Sequence, residues 1–241
     1  MLDSPVIIIL VLLIIFSGTF IHSTVGFGSA LIEMPLLTLL VGVTQATPLV
    51  GLLGLVMVMI IAGGSWRSIN FGDVWRLVVA SLVGIPCGLF LLKTAPEGLV
   101  KAMLGLLIIS FSLYNLTCPR LPTLRTDRWA FGFGFLAGLL SGAYNTGGPP
   151  VVLYGALRRW SPTSFRATMQ GYFLPGSWLV VFGHGLARLW SWEVVLLFGL
   201  SLLPMVAAVY LGGRLNRHIP TGRFDRLLYV LLIVLGVLLL I

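Results

Sequence analysis

Charge is what this sequence has least of. Asp, Glu, Lys and Arg make up 9% of its 241 residues, against about 25% in a soluble globular domain. Seven acids and fifteen bases cannot cover the surface of a 26.1 kDa water-soluble protein. That excludes a cytosolic enzyme. Cysteine is nearly absent too. Cys87 and Cys118 stand 31 residues apart with no CxxC spacing, so neither a disulfide framework nor a zinc site follows. Paired carboxylates, a His-x-x-x-His pair and a phosphate loop are all missing, and Gly26-x-Gly28 lacks the third glycine of a dinucleotide turn. Haem or quinone chemistry would need paired membrane histidines, which are not evident. The expectation is a protein without catalytic residues, metal or cofactor. No basic block carries interleaved aromatics, which sets nucleic acid aside as a partner.

Apolar sequence fills the space that charge leaves. Hydrophobic residues reach 58% and mean hydropathy is +1.06. About ten apolar runs are separated by polar or Gly/Pro breaks. They cover roughly 5–22, 26–41, 47–65, 75–92, 99–116, 129–143, 147–157, 167–185, 193–212 and 227–241. A bilayer crossing needs about 20 residues, so this is an all-α polytopic membrane protein. The runs at 129–143 and 147–157 are too short to cross alone, and 26–41 is marginal. A signal peptide needs a basic leading region. Here no base precedes Arg67, so the first run reads as a retained membrane segment.

The few bases orient the chain. With the N-terminus outside, the loops at 66–76, 117–128, 158–166 and 213–226 fall inside and hold 12 of the 15 bases. Lys93, Lys101 and Arg188 remain outside. The positive-inside rule therefore places both termini outside a bacterial-type inner membrane. Most of the seven Trp residues, among them Trp66, Trp75, Trp129, Trp160, Trp190 and Trp192, stand at segment ends, as interfacial belts do.

Residues 120 apart match through much of the chain. Gly18 pairs with Gly138, Gly28 with Gly148, Gly51 with Gly171, Gly63 with Gly183 and Ser81 with Ser201. The expected organisation is a first membrane repeat over 1–117, a cytoplasmic linker over 118–128 and a second repeat over 129–241. Five segments per repeat is an odd number, so the second copy enters from the opposite side. Two inverted repeats with segments broken at equivalent places are the sequence signature of a secondary transporter.

The breaks carry the polar residues. The first reads His22-Ser23-Thr24-Val25-Gly26-Phe27-Gly28-Ser29, and the second Ser141-Gly142-Ala143-Tyr144-Asn145-Thr146-Gly147-Gly148-Pro149-Pro150. Unpaired backbone in hydrocarbon is costly, so each break must be buried in protein or line a wet cavity. Glycines allow close backbone approach. The segment after each break opens with unpaired N–H groups and a positive dipole end. With hydroxyls from Ser23, Ser29, Ser141 and Thr146 and the amide of Asn145, two such starts suit a small oxyanion without a fixed cation. Phe27, Tyr144 and Gly147 belong to the same candidate substrate site.

These paired motifs, the repeat length and the overall length resemble the TauE/SafE family of sulfite and organosulfonate exporters. The resemblance covers nearly the whole chain. It is strongest from Gly26-Phe27-Gly28-Ser29 to Pro35 and from Ser141-Gly142 to Pro150. Members often carry a fuller glycine cluster in the first motif, where this chain has Phe27 and Ser29. The resemblance implies an inner-membrane permease that moves sulfite, sulfoacetate or related anions, usually outward.

Four further residues are candidates for coupling or gating. Glu33 is the only acid deep in an apolar run, and intramembrane ionisable groups are functional hypotheses by default. Its alternatives are a proton-coupling carboxylate, a hydrogen bond to a neighbouring break, or a place near a wet end. His22 closes the first segment. Arg166 and Gln170 open the run after the short hairpin, where Arg166 suits an anion mouth or a positive-inside anchor. His184 closes the run at 167–185 and reads as a satisfied interfacial histidine. The expected partners are a small anion, the lipid bilayer, protons as coupling ion and a second copy in a homodimer.

Overall fold

The computed structural model describes residues 4–25, 27–63, 71–117, 123–124, 126–215, 230, 232–238 and 240. Among these residues it is all-helical, with nine helices named here and a further helical stretch at 232–238. The helices are α1 (Pro5–Val25), α2 (Ser29–Val41), α3 (Val43–Ala62), α4 (Phe71–Thr94), α5 (Glu97–Thr117), α6 (Trp129–Tyr144), α7 (Gly148–Leu157), α8 (Pro162–Leu186) and α9 (Trp192–Leu215).

Their lengths sort them by what they can do in a bilayer. Parts of α1, α3, α4, α5 and α9 are long and apolar enough to cross one. At 1.5 Å per residue, the 13 residues of α2 and the 10 of α7 reach only about 20 and 15 Å. These are the short runs the sequence singles out. The long helices turn large apolar side chains outward: Leu203 is 80% exposed, Trp192 75% and Phe90 70%. In water such a surface would drive aggregation, whereas lipid covers it without cost.

Two helix starts carry a serine cap. Ser161 caps α8 by accepting the Ser164 N–H at 3.4 Å, with Pro162 in the first turn. Ser191 does the same for α9 through the Val194 N–H at 3.3 Å. A capped polar start extends a helix beyond its apolar run.

The most extensive packing joins α4 to α6, followed by α1 with α9. Next come α3 against α8, and then α8 on α4 and α3 on α9. Along the α4–α6 seam the backbones touch. A Cβ on Gly138 would lie 2.7 Å from Ser81 Cα, one on Gly134 2.5 Å from the Leu77 carbonyl, and one on Gly88 2.9 Å from Ala143 N. Gly134, Gly138 and Gly142 recur every fourth residue and form one small-residue stripe, the usual means of close helix approach in lipid.

One end of the bundle is tied by charge. Asp127 receives Arg76 at 3.3 Å and Arg158 at 2.7 Å. Arg159 Nε donates to Thr123 Oγ1 at 2.8 Å, and Leu124 N to the Leu157 carbonyl at 2.9 Å. Arg76 at the start of α4, the residues just before α6 and the residues at the end of α7 therefore meet on one face. Elsewhere the α2–α3 turn meets the start of α5, where a Cβ on Gly42 would lie 3.6 Å from Glu97 Oε1. Cys87 is exposed on α4, and Cys118 lies outside the described residues.

Candidate functional site

The two polar breaks meet around one cavity. Its walls take His22, Phe27, Gly28 and Ser29 from the first break and Ser141, Asn145, Thr146 and Gly148 from the second. The cavity holds about 70 Å³, where a single water needs about 10–15 Å³ counted the same way. That is room for a small oxyanion or a few waters.

Local backbone explains why the breaks have this shape. Gly28 holds φ 102, in the left-handed region that favours glycine, and α2 starts at the next residue. The Leu31 N–H folds back onto the Gly28 carbonyl at 3.1 Å, which leaves the Ser29 and Ala30 N–H groups at the helix start. Asn145 ends α6 with φ 55, a conformation Asn tolerates better than most residues. Its Nδ2 donates to the Thr47 carbonyl on α3 at 2.6 Å and so pins the second break to that helix. The first turn of α7 contains Pro149 and Pro150, which have no N–H. That helix therefore presents a dipole end with fewer donors than α2.

Side chains complete the polar lining. His22 Nδ1 and Ser29 Oγ are 3.2 Å apart, which ties the end of α1 to the start of α2. Tyr172 Oη lies 3.1 Å from Ser81 Oγ and also bonds to Ser141. The rest of the wall is small or apolar, with Gly51, Gly54, Met57 and Val58 from α3 and Phe173, Gly176, Ser177 and Val180 from α8. No Asp, Glu, Lys or Arg is among the described lining residues. No group of three or more His, Cys, Asp or Glu suited to a metal occurs among the described residues either.

Other candidate residues lie elsewhere. Ser23 is buried toward α9, where it would touch a Cβ on Gly212. Tyr144 is buried in the apolar core. Gly147 sits behind the cavity, where a side chain would overlap Ser141 Oγ. Glu33 is buried, accepts the Thr19 hydroxyl at 3.2 Å and packs against Gly18, where a Cβ would lie 2.5 Å from Glu33 Cγ. The carboxyl is enclosed by protein and bonds α1 rather than a break. Gln170 is buried on α8. Gly26, His218 and the Arg166 side chain lie outside the described residues.

His184 departs from its sequence reading. It is fully buried, and neither ring nitrogen has a hydrogen-bond partner among the described residues. Sequence reasoning also missed the α3 and α8 walls. Their only signal was the Gly51–Gly171 match, because apolar positions on a long helix do not say which of them face a cavity.

A bundle of apolar helices around a part-open, uncharged cavity that two helix starts enter fits a membrane transport protein. The family model "Sulfite exporter TauE/SafE" matches residues 10–239, and the chain belongs to that family. No curated protein and no solved structure matches it.

Proposed function

We propose that the chain is a secondary transporter that exports small sulfur-containing oxyanions such as sulfite or sulfoacetate by alternating access. The observation that carries this reading is the convergence of both breaks on one cavity. The Ser29 and Ala30 N–H groups, the hydroxyls of Ser29, Ser141 and Thr146, and the α2 and α7 dipole ends supply an oxyanion with donors and positive potential. With no fixed cation in the described wall, the anion is held loosely enough to leave again.

The packing supports two inverted halves. If α1–α5 correspond in order to α6 onward, exchanging the halves turns the α1–α9 pair into α6–α4, and α3–α9 into α8–α4. It returns α3–α8 to itself. All these pairs are packed. Gly28 and Gly148, 120 residues apart, each stand at the start of a short helix and both line the cavity. Rocking of the halves about the α3–α8 contact would open the cavity to alternate sides. Gathering of basic loops at Asp127 supports a cytoplasmic face there.

The test is binding and flux with purified protein. Sulfite and sulfoacetate should bind, and proteoliposomes should release them faster than empty vesicles. Asn145→Ala should reduce both. Absence of affinity for either anion would refute the substrate class. Binding without flux would favour a non-transporting membrane receptor.

A further inference from the structure

His184 is a buried ionisable group that the anion reading leaves unused. It stands on α8 one turn beyond Val180, which lines the cavity. Gly51 and Asn145, two further wall residues, are its neighbours. The point where a Gly51 Cβ would sit is 3.1 Å from His184 Nδ1 and 3.2 Å from Asn145 Oδ1. The ring and the amide oxygen thus flank one gap that exists because residue 51 has no side chain. The Gly142 carbonyl also approaches the ring without reaching hydrogen-bond geometry. Asn145 turns one Nδ2 hydrogen to the Thr47 carbonyl and its Oδ1 toward the gap, so an acceptor oxygen is what it offers here. Two acceptors beside a ring suit its doubly protonated form, in which both nitrogens donate.

Among the described residues, the helices packed against this part of α8 bring it no counter-charge. Residues 43–62 of α3 include no ionisable side chain, and α6 contributes only Tyr144. Tyr154 is the titratable group of α7. On α4, Leu89 faces this part of α8. Cys87 and Lys93 of that helix are exposed, Arg76 is engaged with Asp127, and the Asp73 side chain is outside the described residues. On α8 itself, Tyr172 is bonded to Ser81, and Arg166 is 18 residues away, about 27 Å along the helix. Arg188 is exposed in the turn after α8. An imidazolium here gains a counter-charge only when an anion enters the cavity, and an adjacent opposite charge favours the charged form of a buried group.

The turn after α8 closes over this end of the helix. Leu189 N donates to the His184 carbonyl at 3.0 Å, and the half-exposed Trp190 ring covers Gly185. His184 lies between that covered end and the cavity.

We propose that His184 is the proton-coupling residue of the candidate site, taking up one proton from solvent as an anion enters and holding it between Asn145 Oδ1 and the Gly142 carbonyl. This rests on the anion-transport reading above. No bond other than N–H forms, and the proton returns to solvent when the anion leaves. Asn145 joins the two events, because it faces the ring and also fixes the break that lines the cavity.

Calorimetry on the purified full chain with sulfoacetate tests this, since both acid groups of that probe stay ionised near neutral pH. Runs in two buffers of different ionisation enthalpy count protons taken up. The wild-type chain should take up about one proton per anion, and affinity should rise up to about tenfold per unit fall in pH. His184→Gln should still bind but with uptake near zero and a flat pH profile. Binding without proton uptake in the wild type would overturn the proposal and leave the anion reading standing. Absence of binding would overturn both. Full uptake in His184→Gln, or its loss only in Glu33→Gln, would also overturn the assignment. If His184→Gln does not fold, ¹⁵N-histidine spectra of the wild type decide. The ring assigned to His184 by elimination with His22→Gln and His218→Gln should gain a proton on sulfoacetate addition, and an unchanged ring would refute the proposal.

Discussion

Asn145 performs three tasks with one side chain. Its backbone turns through φ 55 to end α6, its Nδ2 reaches the Thr47 carbonyl, and its Oδ1 faces the gap beside Gly51. Asn145→Ala should lose about 1–2 kcal/mol of stability from the left-handed backbone, and a further 0.5–1.5 kcal/mol, roughly, from the lost hydrogen bond. Asn145→Gly should recover the backbone part alone. Thermal unfolding of the two variants in detergent separates the contributions. Gly28 gives a cleaner backbone test, because nothing lies within 4 Å of its absent Cβ and its φ is 102. Gly28→Ala should therefore destabilise by about 1–2 kcal/mol through strain alone. Its anion affinity should fall as the start of α2 shifts. A wild-type melting temperature for this variant would show that the turn accepts an L-residue without strain.

Among the elements, α4 and α6 make the closest seam. Gly138 meets the Ser81 backbone, whereas Gly132, six residues earlier on the same helix, has nothing within 4 Å of its absent Cβ. Gly138→Val should cost at least the roughly 1–3 kcal/mol typical of overpacking, since backbone rather than a flexible side chain must move. Gly132→Ala should be neutral or slightly stabilising, because Ala is about 1 kcal/mol better than Gly inside a helix. Yield of monodisperse protein and melting temperature read both outcomes. The element boundaries were largely legible in the sequence. The short runs at 26–41, 129–143 and 147–157 correspond to α2, α6 and α7 within a few residues. The start of α8 was not, because a polar capping residue lengthens a helix without adding hydropathy.

At the scale of the whole molecule, the Asp127 cluster brings Arg76 of α4 and Arg158 after α7 to one face. Its ion pairs are part-exposed and worth about 0–1 kcal/mol each, so Asp127→Asn should barely change stability. The value of the cluster is topological. In a chain freed of Cys87 and Cys118, single cysteines at Thr123 and Arg159 should be labelled by an impermeant thiol reagent only from the cytoplasmic side. One at Ala95, in the α4–α5 turn, should be labelled only from the opposite side. Labelling of all three from one side would refute the orientation that the bases imply. The two-fold exchange of helix pairs in the packing is a property of this scale too.

The sequence by itself determined the class of protein and the place of its polar residues. Scarce charge leaves lipid as the only solvent for such a surface, and Gly-rich polar breaks in apolar runs must be buried or wet. Those constraints are local, so one sequence suffices to read them. Only the tertiary structure decided which polar residues share a cavity. Ser29 and Asn145 line it while Ser23, Tyr144 and Glu33 pack elsewhere, and His184 comes beside Asn145 although 39 residues separate them. The physical reason is that a side chain's direction depends on how each helix is rotated in the bundle. In lipid that rotation is set by close packing of glycine-lined backbones against helices distant in sequence.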